Sequence, residues 1–402
     1  MSNELVVAIN QKLSNIDNDL DLLEFSHPSI FVANGGVPIY FAHRYINTGN
    51  DSYLDKTMYH LERCIDSMDA LQLNFSLCSG VTGLAWLVRY LEQRGILADG
   101  DSVVGEIDMI ISDSLKIDFE ECNYDLLYGF IGKGIYFLEH EHLYKHVYSI
   151  VEFLIKTAIT AKNGKTWLDN YTVLHQNDLN LRYNLGLAHG IPSILIFLVL
   201  AYKKGIKRDE VKSLLISGTE WLLAQKNTSK TNSIFPSYSE LGDNTKLAWC
   251  YGDLGIIIAL INVGFAIGQP AYINEAYNLS LIASKRRIET SRIQQDNSNN
   301  MIEPGFCHGL AGITHIFSKL SHRFRDTSLE EASNYWVSKL LNSDFMDTDG
   351  RLKYFRYEID NGAGQWYHDR SLLSGSIGVG LTLMSLDRKS FSGWDKLFLT
   401  NI

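Results

Sequence analysis

The pattern of apolar and polar positions along the chain is a repeat. Seven times a short turn leads into a glycine, a second small residue three positions later, and then a run that is apolar nearly all round. The copies begin at Gly36-Val-Pro-Ile-Tyr, Gly80-Val-Thr-Gly83, Gly129-Phe-Ile-Gly132, Gly190-Ile-Pro-Ser193, Gly252-Asp-Leu-Gly255, Gly309-Leu-Ala-Gly312 and Gly375-Ser-Ile-Gly378. Successive leading glycines stand 44, 49, 61, 62, 57 and 66 residues apart, enough for two helices and their connections. Between these copies lie amphipathic stretches. Residues 209–225 carry Val211, Leu214, Leu215, Trp221 and Leu222 at helical spacing, and 328–342 carry Leu329, Ala332, Trp336 and Leu340. Stretches 54–71, 147–161 and 271–288 read the same way, whereas strand signals are few.

A helix apolar on every side belongs inside, and one with a polar face belongs outside. Seven inner and seven outer helices alternating in sequence close naturally into a ring of two layers. The expected fold class is therefore all-α, an α/α toroid (a double-layer barrel) of seven helical-hairpin repeats and about 14 helices. An open solenoid is the competing arrangement; against it, neither terminal repeat looks like a polar cap. The paired small residues are expected to let inner helices crowd at one end and to expose their N-termini around a shared cavity.

Length changes this picture only slightly. A chain of 402 residues would ordinarily split into two or three domains. A closed repeat escapes that limit because each unit buries itself against its neighbours, so one domain over 1–402 is expected. Just 6 prolines and no Ser/Gly/Pro-rich linker argue against a disordered arm. The net charge of −10 with scattered basic residues excludes a nucleic-acid footprint and is compatible with a cationic peptide. Met1-Ser2-Asn3-Glu4 shows no basic region leading into an apolar one, so no signal peptide is expected. The longest apolar run, 190–202, is too short to span a bilayer and reads as a buried helix. Five cysteines (64, 78, 122, 250 and 307) make no disulfide framework, and the cytoplasm is the natural compartment.

The candidate chemistry lies in the turns before the glycines. Trp249-Cys250-Tyr251-Gly252-Asp253 and Gly305-Phe306-Cys307-His308-Gly309 offer two thiols and an imidazole, a borderline-soft donor set that suits Zn²⁺. Three protein ligands would leave a fourth tetrahedral position open, as catalytic zinc sites require. Taken singly, Cys250 and Cys307 are equally readable as small buried hydrophobes and His308 as a core histidine. In a ring, however, the turns before the inner helices share one mouth. That brings Asp125, His189, Cys250, Cys307 and His308 together from nearly 200 residues of chain. Cys307 and His308 would point about 100° apart on a regular helix, so they share a metal only where flanking glycines relax the backbone.

With Leu187-Ala188-His189-Gly190 and Tyr124-Asp125-Leu126-Leu127-Tyr128-Gly129, these motifs resemble, in combination and order, the lanthionine synthetase C family of lanthipeptide cyclases. The resemblance runs through all seven repeats. It implies an α/α toroid with a central Zn²⁺ held by Cys250, Cys307 and His308, and catalytic roles for His189 and Asp125. Tyr251 matches the tyrosine after the first zinc cysteine. Lys246 stands where the family commonly has arginine, which keeps the charge and loses the planar fork. Some members carry a small inserted domain between early helices; the 49- and 61-residue spacings leave little room for a large one.

The implied reaction adds a cysteine thiol of a dehydrated precursor peptide to the β-carbon of dehydroalanine or dehydrobutyrine, closing a (methyl)lanthionine thioether ring. Implied partners are that precursor, a dehydratase and an ABC transporter, the last giving a peripheral membrane association. His189 suits the proton traffic near neutral pH, with Asp125 orienting it. A core histidine and a helix N-cap are the structural alternatives for these two. Tyr251 hydrogen-bonds near the metal or packs, Trp249 walls the site, and Lys246 assists substrate or enolate binding. Cys64, Cys78, Cys122 and His315 are expected to be structural, and His368 stands near enough in the last repeat to reach the mouth. Other functions stay open: addition of glutathione to dehydroamino acids, or a non-catalytic, zinc-containing peptide-binding protein. A glycoside- or terpenoid-processing α/α ring would need paired carboxylates or an Asp-rich motif, of which the repeat turns offer little beyond Asp125.

Overall fold

The computed structural model describes residues 2–68, 73–98, 100–170, 182–228, 231–296, 301–346, 352–360, 363–387 and 393–402. All seven glycine-led runs are helical: Val37–Thr48, Val81–Gln93, Phe130–Phe137, Ile191–Lys203, Asp253–Ile267, Leu310–Phe324 and Ser376–Ser385. Ile191–Lys203 is buried from Ile191 through Val199 and again at Ala201 and Tyr202, so no face of it meets water. Its sequel Arg208–Leu223 buries one stripe, Val211, Leu214, Leu215, Gly218, Trp221 and Leu222, and leaves its acidic first turn outside. No described helix is long and apolar enough to cross a membrane.

The helices group into two compact units, each assembled from three chain segments. The first comprises Met1–Asn74, Leu87–Gly100 and Arg292–Trp394. Within it Val37–Thr48 packs on Asp51–Asp66 and Leu310–Phe324 packs on Thr327–Leu341. The last glycine-led helix, Ser376–Ser385, lies against both Leu310–Phe324 and Val37–Thr48. Last and first repeats therefore touch, which an open solenoid does not allow. Its outer partner departs from the simple alternation. Past Ser385 the described chain forms only the short 3-10 turn Trp394–Phe398, and the helix packed on Ser376–Ser385 is Asn3–Leu20. That N-terminal helix buries Ile9, Leu13, Ile16 and Leu20 along one face. It is pinned through Asp17, which takes a bidentate contact from Arg44 (2.7 Å to Nη2) and the hydroxyls of Tyr40 and Tyr53, each at 2.7 Å.

The second unit comprises Phe75–Trp86, Asp101–Ser291 and Asp395–Ile402. Phe130–Phe137, Ile191–Lys203 and Asp253–Ile267 pack side by side in that order, backed by Tyr144–Thr157, Arg208–Leu223 and Pro270–Ala283. Asp101–Glu120 also packs on Phe130–Phe137. Two outer helices are shorter than their apolar patterns suggest. The stretch 147–161 leaves the helix at Thr157, and Ile159–Ala161 pairs antiparallel with Gly164–Thr166. The stretch 271–288 ends its helix at Ala283, and Ile288–Ser291 is a separate turn of helix.

Among the described residues four two-stranded antiparallel ribbons interrupt the helices, more strand than the sparse signals suggest. The longest pairs Phe355–Asp360 with Ala363–His368. Between its strands in sequence stands Asn361-Gly362, a strong hairpin dipeptide that the irregular alternation of its flanks conceals; those two residues lie outside the described ones.

The leading glycines answer to one local geometry. Four of the turns fold back so that the carbonyl six residues earlier accepts from the first helical N–H: Asn123 from Phe130, Asn184 from Ile191, Glu303 from Leu310 and Asp369 from Ser376. A Cβ on Gly129, Gly190, Gly309 or Gly375 would sit 2.2–2.5 Å from that carbonyl oxygen. Gly252 adds a backbone φ of +92° to the same crowding, with the Lys246 oxygen 2.6 Å from its Cβ position. The second small residue serves mainly its own turn: a Cβ on Gly132, Gly312 or Gly378 would lie 2.0–2.4 Å from the carbonyl three residues before the leading glycine. In the fourth repeat Ser193 fits because its hydroxyl donates to the Gly190 carbonyl at 2.8 Å.

Candidate metal centre and histidine–aspartate pair

The residue two places before each leading glycine is where neighbouring turns are laced together. The Cys78 N–H donates to the Leu127 carbonyl at 2.9 Å, Ala188 to Cys250 at 3.3 Å, and Cys307 to Leu373 at 2.9 Å. Cys250 and Cys307 thus occupy equivalent places in this backbone lacing. Gly186 permits the first lacing, since a Cβ there would meet the Cys250 carbonyl at 2.6 Å and the Tyr251 ring at 2.8 Å.

One ligand atom from each of Cys250, Cys307 and His308 lies within 4.8 Å of the other two. Among the described residues this is the only such cluster of three His, Cys, Asp or Glu donors. Donors sharing one Zn²⁺ at about 2.0–2.3 Å stand about 3.5–3.8 Å apart, so the spread suits a single ion. Cys250 is buried, while Cys307 and His308 are half-buried. The His308 Nε2 meets the Glu303 carboxylate at 2.8 Å, and Glu303 is only 2% exposed. That bond supplies the carboxylate that metal-bound histidines ordinarily carry. Donor chemistry, spacing and supporting carboxylate all fit Zn²⁺.

His189 and Asp125 meet as a pair, Nδ1 to Oδ2, at 2.5 Å. Asp125 does not cap the following helix, whose N-cap is Gly129; its side chain serves the turn and the histidine. Its Oδ1 accepts from the N–H groups of Leu127 (2.7 Å) and Tyr128 (2.8 Å), fastening the turn, while Oδ2 holds the imidazole. Burial opposes a charge on His189, but the Asp125 carboxylate overrides it, aided by Cys250 and Asp169, and the imidazole pKa is raised.

Tyr251 stands beside this pair, its ring centroid 6.1 Å from that of His189. Its hydroxyl accepts from Asn184 Nδ2 at 3.1 Å and lies 3.4 Å from the Tyr238 hydroxyl. Asn184 also donates to Asp169 at 2.9 Å, which fixes the amide's orientation. Burial, then Tyr238, drive the Tyr251 pKa far above the tyrosine range, so it remains a neutral phenol. The Lys246 side chain is half-buried, and among the described residues no hydrogen bond or ion pair holds its ammonium.

Other expected residues fall elsewhere. Trp249 does not wall the site: it is fully buried, and its indole N–H donates to the Phe398 carbonyl at 2.7 Å. His315 packs between Phe306 and Trp394, with centroids at 5.5 and 5.1 Å. His368 is spent on Asp19 at 3.1 Å, tying the last ribbon to the N-terminal helix. Cys64 and Cys78 are buried, with burial pushing both thiols up to about 12, and Cys122 is half-buried; none of the five cysteines forms a disulfide. Glu303, Asn184 and Asp169 make contacts around the candidate residues that motif reading passes over. Their signal is positional: Asn184 and Glu303 each stand six residues before a leading glycine.

With this geometry the comparisons with known proteins agree. The lanthionine synthetase C-like family matches residues 26–399. The chain belongs to that family. Among solved structures it is similar to a nisin cyclase, with 17% identity and a TM-score of 0.72, over 99% of this chain and 98% of that one. The fold is accordingly the α/α toroid of that cyclase. Among curated proteins none matches the chain.

Proposed function

We propose that this family member is a zinc-dependent lanthipeptide cyclase, with Cys250, Cys307 and His308 as metal ligands. The observation carrying the reading is the convergence of two thiols and one imidazole within 4.8 Å. Three protein donors suit a catalytic rather than a structural zinc, because a substrate thiol has a place to bind. Zn²⁺ held there supplies a Lewis acid that keeps a thiol as thiolate near neutral pH.

The chain's own residues manage the protons. His189 Nε2 takes the proton of the incoming cysteine thiol while Asp125 holds Nδ1–H and stabilises the imidazolium. The sulfur–carbon bond forms at the β-carbon of the dehydroamino acid, and the π electrons move onto the carbonyl as an enolate. His189 then returns its proton to the α-carbon. Atoms are conserved, so the product is an isomer of the substrate. Tyr251, as a neutral phenol beside His189, serves as a hydrogen-bond donor to the enolate oxygen, and the Lys246 ammonium adds positive charge near the mouth. The substrate must come from a dehydratase, since unmodified serine and threonine offer no electrophilic carbon.

Metal analysis of the purified protein tests the assignment. The expected content is about one Zn²⁺ per chain, lost in Cys250→Ala, Cys307→Ala and His308→Ala. Full zinc in Cys307→Ala would overturn the ligand set.

A further inference from the structure

The position six residues before a leading glycine has the same task in several repeats. Its side chain caps its own turn, accepting from the backbone N–H two residues on. Asn123 takes the Asp125 N–H at 3.4 Å, Asn184 takes that of Gly186 at 2.8 Å, and Asp369 takes that of Ser371 at 2.6 Å. In the Cys307-His308 turn this position is Glu303. Its carbonyl keeps the common role, accepting from Leu310 at 3.0 Å. Its side chain, one methylene longer than the others, passes the turn and meets His308 Nε2 at 2.8 Å.

We infer that Glu303 is a positioning residue for the metal centre, an elongated version of the repeat's turn cap that fixes the ring and tautomer of His308. The inference rests on the reading of His308 as a metal ligand. The His308 side chain is 31% exposed, so packing alone does not fix its ring. A carboxylate only 2% exposed needs a strong donor, and Nε2–H is one. With the proton held at Nε2, Nδ1 is the nitrogen that keeps a lone pair for a metal. The ordering cost of the imidazole is thereby met in the folded chain.

Three variants separate positioning from general support of the turn. Glu303→Asp restores the length found at Asp369, so its carboxylate is expected to fold back on the Gly305 N–H and release His308. Glu303→Ala removes the carboxylate altogether. Glu303→Gln keeps both length and an acceptor oxygen. Metal-free protein is titrated with Zn²⁺ against a chromophoric chelator, and melting of the metal-free protein is followed in parallel. Affinity is expected to fall about 10- to 100-fold in Glu303→Asp and Glu303→Ala and less in Glu303→Gln, with the Glu303→Asp melting curve unchanged. Histidine ¹⁵N signals of the zinc-loaded wild type should show His308 ligated through Nδ1 and protonated at Nε2. Undiminished zinc affinity in Glu303→Asp and Glu303→Ala, or ligation through Nε2, overturns the inference and leaves the centre standing. A wild-type protein that takes no Zn²⁺ overturns the centre itself, and this inference with it.

Discussion

Asp125 has two jobs on two oxygens, and substitution can separate them. In Asp125→Asn the amide oxygen can still accept from Leu127 and Tyr128, which Oδ1 meets at 2.7 and 2.8 Å, so the turn keeps its fastening. What disappears is the charged hydrogen bond to His189, at 2.5 Å. One hydrogen bond to a charged group is worth about 1.5–3 kcal/mol, which bounds the loss of stability. Asp125→Ala strands two backbone N–H groups as well and is expected to cost about 3–5 kcal/mol. The effect on rate should be out of proportion. An amide donates to Nδ1, forcing the proton onto Nε2, the nitrogen that must accept it from substrate. Proton transfer of this kind contributes about 10²–10⁴ in rate, and most of that is expected to vanish from kcat. The pH profile carries a sign. Burial disfavours the imidazolium and Asp125 more than offsets this, so removing the carboxylate lowers the His189 pKa. The limb on which His189 gives up its proton therefore moves to lower pH. The assay is cyclisation of a dehydrated, cysteine-containing peptide, followed by alkylating the remaining thiols and weighing the product. Full kcat and an unmoved profile in Asp125→Asn would reduce Asp125 to a turn cap.

Three further outcomes follow from the packing. Gly252→Ala forces a side chain onto a φ of +92° and onto an oxygen 2.6 Å away; a stability loss of about 2–4 kcal/mol and weakened zinc binding through Cys250 are expected in denaturant and metal titrations. Lys133 and Asp118 form a buried pair at 2.6 Å, with burial pushing the Asp118 carboxyl up to about 6 despite the lysine. Lys133→Met raises it further. Such a carboxyl favours folding while protonated, and the advantage disappears as pH rises through its folded value. The variant should lose about 3–5 kcal/mol at pH 8 and clearly less at pH 5 by urea denaturation. Trp249→Phe removes one indole donor to Phe398; about 1 kcal/mol of stability should go while zinc affinity stays, whereas lost zinc would return Trp249 to the site wall.

The seven helices and the zinc donors were legible because both follow the glycine spacing. The leading glycine leaves a mark in every repeat, and Cys250 and Cys307 share one place, two residues before it. The seventh outer helix was hidden because Asn3–Leu20 lies before the first glycine, so no local pattern links it to Ser376–Ser385. Trp249 misled because adjacency to Cys250 in sequence says nothing of direction: the backbone turns the indole into the core. Glu303 was invisible for a different reason. A glutamate before a proline has no motif of its own, and its meaning comes from comparison with Asn123, Asn184 and Asp369, whose short side chains stop at the backbone. The pairing of Phe355–Asp360 with Ala363–His368 escapes pattern reading although Asn-Gly separates the two in sequence, since they mix glycine, charge and aromatic residues without regular alternation.

Cyclisation and simple thiol capture differ in mass, and that difference tests the central claim most directly. Purified protein carrying Zn²⁺ is incubated with a dehydrated precursor peptide that retains its cysteines, in the presence of glutathione. Samples are then alkylated and weighed. The expected result is a peptide of unchanged mass that progressively loses alkylatable thiols, and no such loss with Cys307→Ala. Peptide that gains glutathione mass while keeping its own thiols, or that keeps every thiol at every time point, would contradict a cyclase.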